Sequence, residues 1–374
     1  MPGTRFFLAA AVSAAVVLSS PFIRDIRDLI RAAFPGKYAL IVGAAVSLAI
    51  GLAILTAIVK IRDRRGLRYG AIALALVLGT AYAAWNAQGI PEVDAVERVH
   101  FVEYGIIALL FYRAWRPRAD SSMFFLPMLA GIAVGTLEEW LQWFIPGRVG
   151  DIRDVLLNCV ALACGLLFSA GIDPPSPLGL SLRAGSLRRT GYATALVGLL
   201  LAAFFHSVHL GVEVQDDETG RFRSRYTVDD LARIGQDRLA LWKEHPPLER
   251  PRSRSREDQY MSEALLHATE RNRKWEAGDM RAAWAENRIL EKYYAPALDA
   301  PSYVSRTGHR WPDPQRNDAR QRLGDGMAAV AAYESRADAT EGHHFVRVWS
   351  PVWFWAGVLV CLGVIVGLCV RLDR

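Results

Sequence analysis

The sequence predicts an all-α membrane protein, a polytopic bundle of about eight transmembrane helices with an α-helical extracytoplasmic region between the last two. Three observations carry this fold class. Of 374 residues 52% are hydrophobic and the mean hydropathy is positive, a composition rare in a soluble chain of this size. The apolar residues fall in blocks near membrane-spanning length, such as 38–59 and 353–370, with charges crowded between them, which excludes a purely cytosolic enzyme. The net charge of +6 divides unevenly, with 23 Lys/Arg against 24 Asp/Glu in residues 211–349 and 21 against 14 elsewhere. The surplus belongs to the membrane part, where positive-inside bias places it, so a pI near 9.2 gives no support to nucleic-acid binding.

Taken in order, the hydrophobic segments are roughly 6–23, 38–60, 69–87, 99–115, 122–145, 152–172, 192–210 and 351–370. The first follows Arg5 as a signal peptide would, but no small-residue cleavage site follows its apolar run, so an uncleaved span is expected. Between the first two, Phe22, Ile23, Ile26, Leu29, Ile30, Ala33 and Phe34 recur at helical spacing with Arg24, Asp25, Arg27, Asp28 and Arg31 between them. That pattern is an amphipathic helix lying in the membrane interface. The chain divides into 1–68 (two spans and this helix), 69–172 (a four-helix membrane domain), 173–210 (a loop and the seventh span), 211–350 and 351–374.

A cytoplasmic N-terminus puts 14 Lys/Arg in the inside connections and 6 in the short outside ones, so residues 211–350 are expected outside the cytoplasm. Thr227 before Val228-Asp229-Asp230 has capping spacing and should start a helix over 228–244, ended by the Pro/Arg-rich stretch 245–256. Further helices are expected over 257–276 and 280–294, then an irregular 295–318 and a last helix from Asp318 leading back to the membrane. Gly278-Asp279, Ala283, Leu290 and Pro296 resemble one tetratricopeptide repeat, but no second register exists, which leaves an ordinary helical hairpin. All four cysteines lie in apolar segments, so no disulfide framework or cysteine zinc site is written here.

The chemistry concentrates in residues 97–165. There stand His100 and Tyr104, then Glu138, Glu139 and Gln142, then Arg148 after Pro146-Gly147, then Asp151, Asp154 and Asn158. Polar and ionisable residues at the edge of apolar segments are expensive unless they face partners or water. The spacings of three or four align His100 with Tyr104, Glu138 or Glu139 with Gln142, Asp151 with Asp154 and Asp154 with Asn158. In the topology above all fall at one membrane face. His100, Glu138, Glu139 and Asp154 are the candidates for acid/base work, and Tyr104, Gln142, Arg148, Asp151 and Asn158 for holding a ligand. The competing structural reading is a polar network that fastens helices, each interhelical hydrogen bond worth about 0.6–2 kcal/mol.

His-x-x-x-Tyr, then Glu-Glu-x-x-Gln-x-x-x-Pro-Gly-Arg, then Asp-x-x-x-Asn resembles the VanZ-like family of bacterial membrane proteins. His100, Tyr104, Glu138, Glu139, Gln142, Arg148, Asp154 and Asn158 match that motif residue by residue, while Ala161 stands where Gly is usual. The resemblance covers about 70–170. It implies a multi-pass protein of the bacterial cytoplasmic (inner) membrane and a link to glycopeptide (teicoplanin) resistance.

Three functions compete. One is an outer-leaflet pocket for the polar head of an anionic or sugar-bearing envelope amphiphile or lipid. Another is an intramembrane acid/base or metal-dependent enzyme on a lipid-linked substrate, although no metal-ligand spacing is diagnostic. The third is a scaffold that binds a protein partner through residues 211–350. No cofactor and no oligomeric state is specified. His206, His209, His343 and His344 with Glu213 are read as scattered interfacial residues rather than a metal site. Trp85, Trp140, Trp143, Trp349, Trp353 and Trp355 are read as an aromatic belt. Gly131 with Gly135 and Gly363 with Gly367 are read as small-xxx-small packing pairs.

Overall fold

The computed structural model describes residues 2–87, 89–118, 120–145, 150–175, 185–245, 247, 259–302, 305–324, 330–337 and 346–373. These form two compact units. One comprises Met1–Leu141, Ile152–Phe204 and Trp355–Arg374, and the other Gln142–Asp151 and Phe205–Phe354.

The first unit is helical throughout. Its elements are α1 (Pro2–Ser19), α2 (Ile23–Ala33), α3 (Tyr38–Lys60), α4 (Arg65–Asn86), α5 (Pro91–Trp115), α6 (Ser122–Gln142), α7 (Ile152–Ile172), α8 (Ser186–His209) and α14 (Pro351–Leu372). Seven described helices, counting residues 3–33 as one, are long and apolar enough to cross a membrane, and the protein is a multi-pass membrane protein. The interfacial pattern of residues 22–34 becomes α2, which has no buried residue. Arg31 ties it to Glu92 at the start of α5.

Helix α5 is missing from those seven because its first half carries Glu92, Asp94, Glu97, Arg98 and Glu103. Its packing decides the matter where hydropathy does not. A Cβ on Gly135 of α6 would lie 3.2 Å from both the Tyr104 hydroxyl of α5 and Asn158 Nδ2 of α7. Further along, a Cβ on Gly165 would lie 2.8 Å from Ala108 Cβ and from Gly105 Cα. At the other end the Tyr112 hydroxyl donates to the Asp173 carbonyl at 2.8 Å. From residue 104 to 112 helix α5 therefore runs parallel to α7 over most of its length and crosses the same depth. The C-terminus of α7 is closed by Arg68, whose Nε and Nη2 donate to the carbonyls of Gly171 at 2.9 Å and Ile172 at 2.5 Å, a cation on the negative end of a helix.

Glycine does the close packing, though not everywhere the spacing suggested. Gly131 meets Leu162, whereas Gly363 and Gly367 have nothing within 4 Å. Against α14 the small residues lie on α8, with Gly191 facing Cys369 and Gly198 facing Leu362. Trp85 and Trp353 are 81% and 72% exposed, as a belt requires, but Trp143 is 3% exposed and leaves that set.

The second unit departs from the all-helical expectation for 211–350. Strands β1 (Leu210–Asp216), β2 (Gly220–Ser224) and β3 (Arg347–Val348) make a small sheet in the order β2-β1-β3, with β1 antiparallel to β2 and parallel to β3. The cause is the period-2 burial of Val214 and of Phe222 with Ser224, and a turn whose Gly220 holds φ +81°. Helices α9 (Val228–Glu244), α10 (Gln259–Glu276), α11 (Met280–Tyr293), α12 (Ala295–Asp299) and α13 (Asp313–Leu323) follow. Thr227 caps α9 by accepting from the Asp230 N–H at 3.2 Å. The expected irregular stretch 295–318 holds α12 and the start of α13, which begins at Asp313 rather than Asp318 and is capped by Gly324. Phe222, Leu231, Tyr260, Ile289, Leu290 and Tyr294 form the core.

Gly165→Val should push α5 from α7 and cost about 1–3 kcal/mol, whereas Gly363→Val should stay within about 0.5 kcal/mol. Melting in detergent checks the pair, and equal midpoints would contradict the close approach.

Candidate functional site

The membrane unit gathers its polar residues where α5, α6 and α7 meet. Helical periodicity sets Tyr104 one turn after His100, and their rings lie nearly parallel with centroids 6.1 Å apart. The Tyr104 hydroxyl, fully buried, donates to Glu138 Oε2 at 2.5 Å. Glu138 and Glu139 are 5% and 0% exposed. Gly135, one turn before Glu139, keeps its Cα close to Tyr104 and Asn158 because it has no Cβ to place between them.

Asn158 is 1% exposed, and among the described residues neither its Oδ1 nor its Nδ2 has a hydrogen-bond partner. A buried carboxamide without partners costs about 1–3 kcal/mol. His100 Nδ1 and Trp140 Nε1 are likewise buried without a partner. Helices α5, α6 and α7 thus each carry a buried polar group left unanswered, and the Glu138 carboxyl beside Tyr104 already holds one donor. Such an arrangement suits a guest that brings both donors and acceptors.

An open apolar groove of about 580 Å³ runs on the α4 side of α7, lined by Leu78, Tyr82, Trp85, Val160, Ala163 and Cys164 among others. Asp154 lies half-buried one turn before Asn158.

The remaining expected site residues are placed differently. Gln142 and Asp151, 3% and 0% exposed, belong to the second unit. Arg148 lies outside the described residues, as do His343 and His344. His209 does not behave as a scattered interfacial histidine, since it is fully buried with Nε2 3.7 Å from Asp151 Oδ1. Glu213 instead faces Arg221 at 3.8 Å. Among the described residues no three His, Cys, Asp or Glu side chains are grouped to hold a metal ion. The sequence marked Gly135 for helix packing only, and its spacing of three residues before Glu138, on the same helix face, was the available signal.

Residues 69–172 match the family model described as VanZ/LLP1, so the chain carries a VanZ-like domain spanning α5, α6, α7 and most of α4. No curated protein and no solved structure matches the chain.

Tyr104→Phe should lower the detergent stability by about 1–3 kcal/mol, because it strips Glu138 of a buried donor while leaving the ring in place. An unchanged melting midpoint would show that this hydrogen bond contributes nothing.

Proposed function

Taking a VanZ-like domain in a multi-pass membrane protein as premise, we propose that the domain is a ligand-binding membrane domain of the bacterial cell envelope. Its polar pocket holds the head of an amphiphile or anionic envelope lipid, and the protein contributes to resistance against envelope-targeting antibiotics. The observation that carries this reading is Asn158. A residue kept only to fasten helices would be hydrogen-bonded across the interface, whereas this carboxamide is buried with both atoms unanswered. A sugar hydroxyl or a phosphate ester next to a hydroxyl supplies the donor and acceptor that it lacks. The apolar groove beside α7 suits the acyl chain of the same molecule.

The pocket lies in the outer leaflet under the orientation that the Lys/Arg count favours, with the second unit outside the cytoplasm of the inner membrane. Glu276 is exposed on α10. Glu276→Cys should react with a membrane-impermeant maleimide in intact spheroplasts. Reaction only after permeabilisation would reverse the orientation.

The pocket is tested by Asn158→Leu, which keeps the shape and removes the unanswered amide. The variant should melt at the wild-type temperature or above it. Yet native mass spectrometry of the purified protein should show a copurified amphiphile in wild type that is lost from Asn158→Leu and from Glu139→Gln. A lower melting temperature with the adduct retained would return Asn158 to a structural role, and wild type without an adduct would count against the pocket.

A further inference from the structure

The connection between α6 and α7 folds with the second unit and not with the helices it joins. It is gripped near both ends. Trp143 lies under the guanidinium of Arg225, with Cζ 4.4 Å from the ring centroid, and its carbonyl accepts from Gln259 Nε2 at 2.7 Å. At the far end stands the buried pair of Asp151 and His209.

Arg225 is itself placed with care. Its Nε is 3.3 Å from Glu263 Oε1, and the two side chains are 6% and 5% exposed. Glu263 is fixed by three donors: the Ser224 hydroxyl at 2.6 Å, the Arg225 N–H at 3.0 Å and the Tyr294 hydroxyl at 2.8 Å. Burial and the nearby Glu263 carboxyl hold the Tyr294 phenol well above its ordinary pKa, so it remains a donor. Among the described residues none of the three guanidinium nitrogens makes a hydrogen bond. This buried cation lies against the Glu263 carboxyl and the aromatic face of Trp143. Removing a guanidinium from water is expensive, and an apolar side chain would fill the same core at lower cost. What an apolar side chain would not supply is attraction to the face of Trp143.

We propose that Arg225 is a positioning residue for the α6–α7 connection, a cation locked by Glu263 and stacked on Trp143, through which the second unit fixes the chain between the Glu138-bearing and Asn158-bearing helices. Gln259 assists by holding the Trp143 carbonyl. The added unit is on this account a built-in clamp on the VanZ-like domain. The clamp does not depend on what the pocket binds; its effect on ligand retention rests on the reading given above.

Hydrogen exchange of the full-length protein in nanodiscs tests the clamp. In Arg225→Met, exchange of the peptide covering residues 141–152 should rise roughly tenfold while α10 and α11 keep their protection. Trp143→Leu should produce the same rise, and adding Arg225→Met to it should change nothing further. Unaltered exchange in the connection overturns the proposal. So does a rise shared with α10 and α11, which would assign Arg225 to the folding of the whole unit, and so does additivity of the two variants. If Arg225→Met does not accumulate, Arg225→Lys keeps the charge beside Glu263 but loses the planar face. Its rise should be smaller and confined to the same peptide, and no rise there, or one elsewhere, overturns the proposal equally. Loss of the copurified amphiphile from Arg225→Met would extend the clamp to ligand retention. A wild-type protein without an adduct counts against the pocket alone and leaves the exchange result standing.

Discussion

The contact on which the membrane unit depends is the close approach of α5 and α7 where Gly165 faces Gly105 and Ala108. In lipid no hydrophobic force drives helices together, so association relies on backbone proximity and interhelical hydrogen bonds. Small residues permit the first, and the first then permits the second. With the helices this close, Tyr104 and Asn158 come to either side of the Gly135 Cα, and Tyr104 reaches Glu138. A larger residue at 165 would displace α5 and draw the Tyr104 hydroxyl away from Glu138, in an environment that charges several kcal/mol for a buried polar group without its bond.

The polar groups brought together are not equally satisfied, and the inequality is informative. The Tyr104 to Glu138 bond is short and buried, as a helix fastener should be. The side chain of Asn158, on the same interface, makes no hydrogen bond among the described residues. Folding alone gains nothing from a buried amide in that condition, since an isosteric leucine would avoid its desolvation cost. A cost of this kind is what the proposed binding role would account for.

Most of the bundle was legible in the sequence because membrane spans are written as long apolar runs. The boundaries of α3 and α7 follow directly from where their runs end. Helix α5 was read as the apolar run 99–115, while its charged first turns, with Glu92, Asp94, Glu97 and Arg98, lay outside that run. The motif's order brought Tyr104 and Asn158 to one membrane face, but the unsatisfied state of the Asn158 side chain is a three-dimensional fact that spacing does not encode. The sheet of the second unit was missed because β1 directly continues α8 and β2 is only five residues long, so the brief alternation of Val212 and Val214 beyond the span did not stand out as a strand. Trp143 was misread for a related reason. An aromatic at the end of a span looks like a belt residue until a buried cation, 82 positions further along at Arg225, is found against it.

That last pairing bears on what a motif is. Eight polar residues in order along one stretch of sequence suggest one site built by one body, yet the chain between α6 and α7 is folded into the second unit. Gln142, Trp143 and Asp151 are buried there, and the apolar helices on either side of them are not part of that core. The contacts of Trp143 and Asp151 at the two ends of that stretch are thus with Arg225, Gln259 and His209, which lie outside residues 69–172. If the connection must be ordered for the membrane site to work, the free energy of folding the second unit enters the affinity of that site, and binding would in turn stabilise the second unit by the same amount. The residues of the family pattern and the groups that grip the linking segment are thus written in different parts of the chain.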